Sequence, residues 1–130
     1  HNGIEYGMME AIGEGAAILK YSDFDIDMQE VFRVYNNQSV IESRLVGWTL
    51  EALNEDPELK DTSSVIAASG EGEWTVKTAK EMRIETPVIE DSFKVRKTSE
   101  KDPEKSPEGY RNKVISAQRG KFGHHPVKKH

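Results

Sequence analysis

Two rows of residues spaced by four run side by side through the first twenty positions of this 130-residue chain. Ile4, Met8, Ile12 and Ala16 form an apolar row, and Gly3, Gly7, Ala11 and Gly15 form a row of small residues beside it. A spacing of four stacks side chains along one face of an α-helix. The pattern predicts a helix over roughly 1–21 with a smooth strip that lets a second helix or a ligand approach the backbone closely. Each glycine costs a helix about 1 kcal/mol relative to alanine, so the row serves close approach or packing, not helix formation.

Helix signals recur and strand signals hardly occur. Asp27-Met28-Gln29-Glu30 is a capping-box pattern opening a helix through Val31, Phe32, Val34 and Tyr35. Ser39-Val40-Ile41-Glu42 repeats the device, for a helix past Leu45, Trp48, Ala52 and Leu53 that stops near Pro57. Trp74-Thr75 is expected to begin a short helix with Val76, Ala79 and Met82. Thr86-Pro87 is a cap followed by proline at the first helical position, and Ser106-Pro107 opens a last helix with Tyr110, Val114, Ile115 and Ala117. Residues 99–108, charged and proline-containing, read as a solvated loop. The fold expectation is all-α, a single domain over 1–130 with the first helix at its centre.

A chain of this length buries roughly two-thirds of its unfolded surface. Charged residues make up 32% of it, so no stretch approaches a membrane span, and the absence of cysteine excludes disulfides and thiolate metal sites while suiting the cytoplasm. The net charge of −5 is unevenly placed: residues 1–60 hold 12 acidic and 4 basic side chains, whereas Ser92 onward holds 11 basic and 4 acidic. An acidic first half argues against nucleic acid as the main partner. Gly70-Glu71-Gly72 lacks the preceding strand and third glycine of a dinucleotide-binding turn.

The chemistry-bearing residues crowd the N-terminus. In His1-Asn2-Gly3-Ile4-Glu5-Tyr6-Gly7, helical periodicity stacks His1 with Glu5 and Asn2 with Tyr6, gathering an imidazole, an acid, an amide and a phenol within one turn. This string resembles the H-N-G-I-E-Y-G signature of the 6-phosphogluconate dehydrogenases, where it lies in the long helix opening the all-helical second domain. The resemblance implies that Glu5 is the general acid that protonates the substrate carbon after carbon dioxide leaves. Proton donation near neutral pH suits a carboxyl facing an anionic substrate, whose like charge favours the protonated form. It further implies that His1 and Asn2 bind the hydroxyls and carboxylate of 6-phosphogluconate, and that Tyr6 contacts its phosphate.

Two more matches follow in order. Ser69-Gly70-Glu71-Gly72-Glu73-Trp74-Thr75 stands where the family commonly has K-G-T-G-K-W-T. Ser69 replaces its phosphate-binding lysine, and the S-G-E-G string resembles the shorter, often NAD-linked branch. Arg96 falls where the family places a phosphate-binding arginine. Arg119-Gly120-Lys121-Phe122-Gly123-His124-His125 matches the tail pattern R-x-x-F-G-x-H in full. There the resemblance implies that Arg119 and His125 reach into the neighbouring subunit of a homodimer and complete its substrate site. Phe122 would anchor the tail and Gly123 turn it. A guanidinium fork suits bidentate phosphate binding.

The family's catalytic lysine, in K-x-x-H-N, and its cofactor-binding domain would lie upstream of His1. The resemblance therefore implies an NAD(P)-dependent oxidative decarboxylase whose NAD or NADP is bound mainly by that other domain, with this segment inactive alone. The rival readings are another β-hydroxyacid dehydrogenase of the same architecture and a stand-alone helical oligomerisation module.

Overall fold

A computed structural model describes residues 1–67 and 70–121 of the chain, so the expectations for Ser69, Phe122, Gly123 and His125 lie outside the described residues. Six α-helices follow one another: α1 (Asn2–Lys20), α2 (Met28–Tyr35), α3 (Arg44–Glu55), α4 (Gly70–Glu81), α5 (Pro87–Thr98) and α6 (Pro107–Lys121). A 3₁₀ turn, Ser99–Lys101, follows α5, and no strand occurs among the described residues. The all-α expectation holds. α1 is central, touching each of the other five α-helices.

Local chemistry sets most boundaries where the sequence put them. Asp27 caps α2 by accepting from the amides of Gln29 and Glu30 at 3.1 and 3.2 Å. Pro87 occupies the first turn of α5. Ser106 caps α6 by accepting from the Gly109 amide at 3.0 Å.

Three boundaries move. The cap of α3 is Ser43, not Ser39: Ser43 is extended (φ −170°) and its hydroxyl accepts from the Val46 amide at 3.2 Å. Ser39 instead donates to the Tyr35 carbonyl, and the Asn36 amide oxygen accepts from the Ser43 amide at 3.1 Å, so Ser39–Glu42 closes an isolated turn. α4 starts four residues before Trp74, with the Gly-Glu-Gly run as its first turn. Within 99–108, Ser99 is buried and its hydroxyl accepts from the Ile66 amide at 2.9 Å, tying that segment to the loop before α4.

The buried face of α1 also differs from the expected row. Gly3, Tyr6, Met9, Glu10, Gly13, Ala16 and Ala17 face inward in an alternating three–four rhythm. Ile4 is 62% exposed, Met8 is also exposed, and only Ala16 of the expected row is fully buried. Of the small residues, Gly15 has nothing near its missing Cβ. Gly13, outside that row, lets α6 approach: a Cβ there would lie 3.0 Å from the Arg111 carbonyl oxygen. The main core gathers Ala16, Phe32, Val46, Leu53, Leu59 and Val114 where α1, α2, α3 and α6 meet. Met9, Leu45, Ile66 and Ile115 form a second cluster nearer the start of α1.

Candidate functional site

α6 runs antiparallel to α1. Tyr110 packs edge-on against Tyr21 at 6.4 Å between ring centroids, and Gln118 donates from Nε2 to the Met9 carbonyl at 3.5 Å. The last turn of α6 therefore ends beside the first turns of α1, placing Arg119 close enough to feel Tyr6 electrostatically. From the other side α5 brings Arg96, whose guanidinium carbon sits 3.5 Å from the centroid of the Tyr6 ring. Tyr6 is 5% exposed, Arg96 5% and Arg119 8%. The structure thus brings together three of the residues singled out in the sequence. Within one chain, the helix geometry sets Arg119 near that chain's own Tyr6.

Two guanidinium groups are buried here side by side. Burial draws Arg96 down to about 10, with Arg119 adding to the fall while Tyr6 and Glu10 oppose it. Burial likewise lowers Arg119. Arg96 also donates to the Met9 sulfur at 3.4 Å, a weak acceptor. Among the described residues neither arginine has a carboxylate within ion-pair distance. Buried charge is ordinarily paired, and here the nearest influences on Arg96 besides burial are Tyr6 and the Glu10 carboxyl, beyond ion-pair distance.

The second part of the site opens at the N-terminus of α1. His1 Nδ1–H donates to Glu5 Oε1 at 3.1 Å, the stacked pair expected from the sequence. His1 is exposed and Glu5 half-buried, whereas Tyr6 turns inward, so the four polar groups do not share one patch. His1 and Asn2 instead line an open groove of about 530 Å³ with Glu71, Trp74, Thr75 and Met82. The exposed indole of Trp74 forms part of its wall.

Sequence reasoning missed Glu10. Its carboxylate is 6% exposed and neither oxygen has a hydrogen-bond partner among the described residues. Burial pushes it up to about 7 against the pull of Arg111, whose Nε lies 4.0 Å away. Arg111 is otherwise engaged, donating to Asp102 at 3.1 Å and to Asn112 at 3.0 Å. The signal was the three–four rhythm itself, which sets Glu10 on the face shared by Tyr6 and Gly13.

The Gly-Glu-Gly run forms the first turn of α4, and no strand occurs among the described residues. No group of three metal-ligating side chains gathers among the described residues, and no described helix is long and apolar enough to cross a membrane.

Residues 1–111 match the family model described as 6-phosphogluconate dehydrogenase, C-terminal domain. The chain is 45% identical to the Bacillus subtilis protein named "Putative 6-phosphogluconate dehydrogenase YqeC", across 99% of this chain and 42% of that protein. It is 34% identical to a Haloferax volcanii "6-phosphogluconate dehydrogenase, NAD(+)-dependent, decarboxylating", across 98% of this chain and 41% of that one. An Arabidopsis thaliana "6-phosphogluconate dehydrogenase, decarboxylating 2" is 34% identical across 74% of this chain and 21% of its own length. The chain thus spans about two-fifths of the length of the first two relatives.

Proposed function

This chain belongs to the 6-phosphogluconate dehydrogenase C-terminal domain family, and from that premise we propose that it is the helical, substrate-binding part of a decarboxylating 6-phosphogluconate dehydrogenase. The full-length protein then converts 6-phosphogluconate to ribulose 5-phosphate and carbon dioxide in the cytoplasm. Its nicotinamide cofactor, NAD or NADP, belongs to a part of the protein outside this segment, so the segment alone is inactive.

The observation that carries this reading is the pair of buried guanidiniums beside Tyr6 without a carboxylate partner among the described residues. A phosphate dianion supplies the missing charge, and two arginine forks hold it in fixed orientation. Glu5 acts as the general acid, delivering its proton to the carbon that has lost carbon dioxide, with His1 orienting its carboxyl. His1 and Asn2, at the mouth of the groove, bind the sugar's hydroxyls and carboxylate.

The test compares 6-phosphogluconate with unphosphorylated gluconate on the full-length protein, following carbon dioxide release. Arg96→Lys and Arg119→Lys should each raise KM for the phosphorylated substrate at least tenfold, with little effect on gluconate. Equal turnover of both substrates, untouched by either substitution, would overturn the assignment.

We further propose a homodimer. Exposed Met8 and Ile18 of α1 line an apolar groove of about 470 Å³ with Ile12, Phe32, Tyr35 and Ile41, a surface suited to a second copy of the chain. The tail then places His125 in the partner's substrate site. Mixing inactive full-length Glu5→Gln and His125→Ala variants should restore activity, because hybrid dimers contain one intact site. Hybrids that form yet stay inactive would confine His125 to its own chain.

A further inference from the structure

The first turn of α4 carries two glycines with opposite surroundings. Around Gly70 nothing lies within 4 Å of the position a Cβ would occupy. At Gly72 a Cβ would fall 2.4 Å from Cε2 and 2.6 Å from Cζ of Tyr6. Real side chains do not approach so closely, so either the helix or the Tyr6 ring would have to shift. Its neighbour is the Arg96 guanidinium, 3.5 Å from the ring centroid, and Arg96 is itself buried. One turn along, Gly3 makes the reciprocal contact: a Cβ there would lie 2.5 Å from Cγ2 of Thr75. Helices α1 and α4 therefore meet backbone to side chain at two points, one on each helix.

From this geometry we propose that Gly72 is a positioning residue for substrate binding: it fixes the Tyr6 ring against Arg96 and so sets where the phosphate-binding cation stands. Gly72 acts through Tyr6 without touching the substrate. An alanine at 72 must either lift α4 off α1, opening space beside the Tyr6 ring, or shift the ring itself and with it the surface on which the Arg96 guanidinium rests. Misplaced binding groups weaken capture of the sugar phosphate, while the proton donor Glu5, whose side chain leaves α1 in another direction, keeps its place. The inference rests on the reading of Tyr6 and Arg96 as phosphate-binding residues.

The experiment compares Gly72→Ala with Gly70→Ala, which shares the same helical turn without the Tyr6 contact. In the 130-residue chain, Gly70→Ala, at the first residue of α4 with open space around it, should leave the melting temperature nearly unchanged, and Gly72→Ala should lower it. In the full-length protein, Gly72→Ala should raise KM for 6-phosphogluconate about tenfold with kcat within threefold, while Gly70→Ala changes neither. A Tyr6→Leu background removes the ring, so there Gly72→Ala should no longer lower the melting temperature or raise KM further. This arm decides the matter even if the single Gly72→Ala variant folds poorly. The positioning role is overturned if Gly72→Ala leaves KM unchanged while Tyr6→Leu raises it, or if it costs as much with leucine at position 6 as with tyrosine. If Tyr6→Leu itself leaves KM unchanged, the phosphate-site reading falls, and the positioning role falls with it.

Discussion

Replacing Glu10 with glutamine should stabilise the domain, and by an amount that depends on pH. The carboxylate is buried between α1 and α6 with both oxygens unpartnered among the described residues. Arg111, 4.0 Å away, is committed to Asp102 and Asn112. Burial pushes the Glu10 carboxyl up to about 7 from the ordinary value of 4.5. Below pH 4.5 the folded and unfolded chains both hold the proton. Between there and pH 7 the unfolded chain releases it while the folded chain keeps it, so stability falls as pH rises through this window. At about 1.4 kcal/mol per pKa unit, the loss is complete above pH 7 and amounts to about 3 kcal/mol. Glutamine keeps the shape of the protonated side chain and cannot ionise. Urea unfolding of both proteins should therefore give similar stabilities near pH 4.5, and at pH 8 the Glu10→Gln variant should be about 3 kcal/mol more stable. The other carboxylates titrate in both proteins and cancel in the difference. A difference that does not change with pH, or a variant less stable than its parent at pH 8, would refute the reasoning. Glu10 would then be an ionised partner of Arg111.

Other substitutions probe the frame around the site. Asp27→Ala removes the oxygen that accepts from the Gln29 and Glu30 amides and should cost about 1 kcal/mol in urea unfolding. Leu53→Ala, at a fully buried position of the main core, should cost about 2–5 kcal/mol by the same measurement. Gly13→Ala sets a methyl 3.0 Å from the Arg111 carbonyl, so it should lower the melting temperature despite alanine's better helix propensity, with an expected cost of about 1–3 kcal/mol.

Caps, prolines and four-residue spacings made the helices legible because those signals act within one turn. Asp27, Pro87 and Ser106 mark their helices as the sequence suggests. Ser39 misled because Ser43, four residues on, competes for the same helix start, and the Asn36 side chain holds the Ser43 amide in the capping geometry. The inward face of α1 was misread for a related reason. Spacing identifies a face but does not say which side meets the core. Ile4 and Met8 look like core residues in sequence, yet the helix turns its glycines and Glu10 inward, because α4 and α6 come too close for larger side chains at Gly3 and Gly13. Within the site, the His1–Glu5 pair follows from helical periodicity alone. The meeting of Tyr6 with Arg96 and Arg119 depends on how α5 and α6 return to α1, which no local pattern records.

The central claim is that this domain brings the proton donor and the phosphate cradle to one substrate, and Glu5→Gln in the full-length protein tests it most directly. Glutamine preserves the size of the side chain and an acceptor for His1 but has no proton to give to carbon. With 6-phosphogluconate as substrate, kcat should fall by on the order of 10²–10⁴ while KM stays within a few-fold of the parent. Turnover within a few-fold of the parent would contradict the account and leave Glu5 as a surface carboxylate paired with His1.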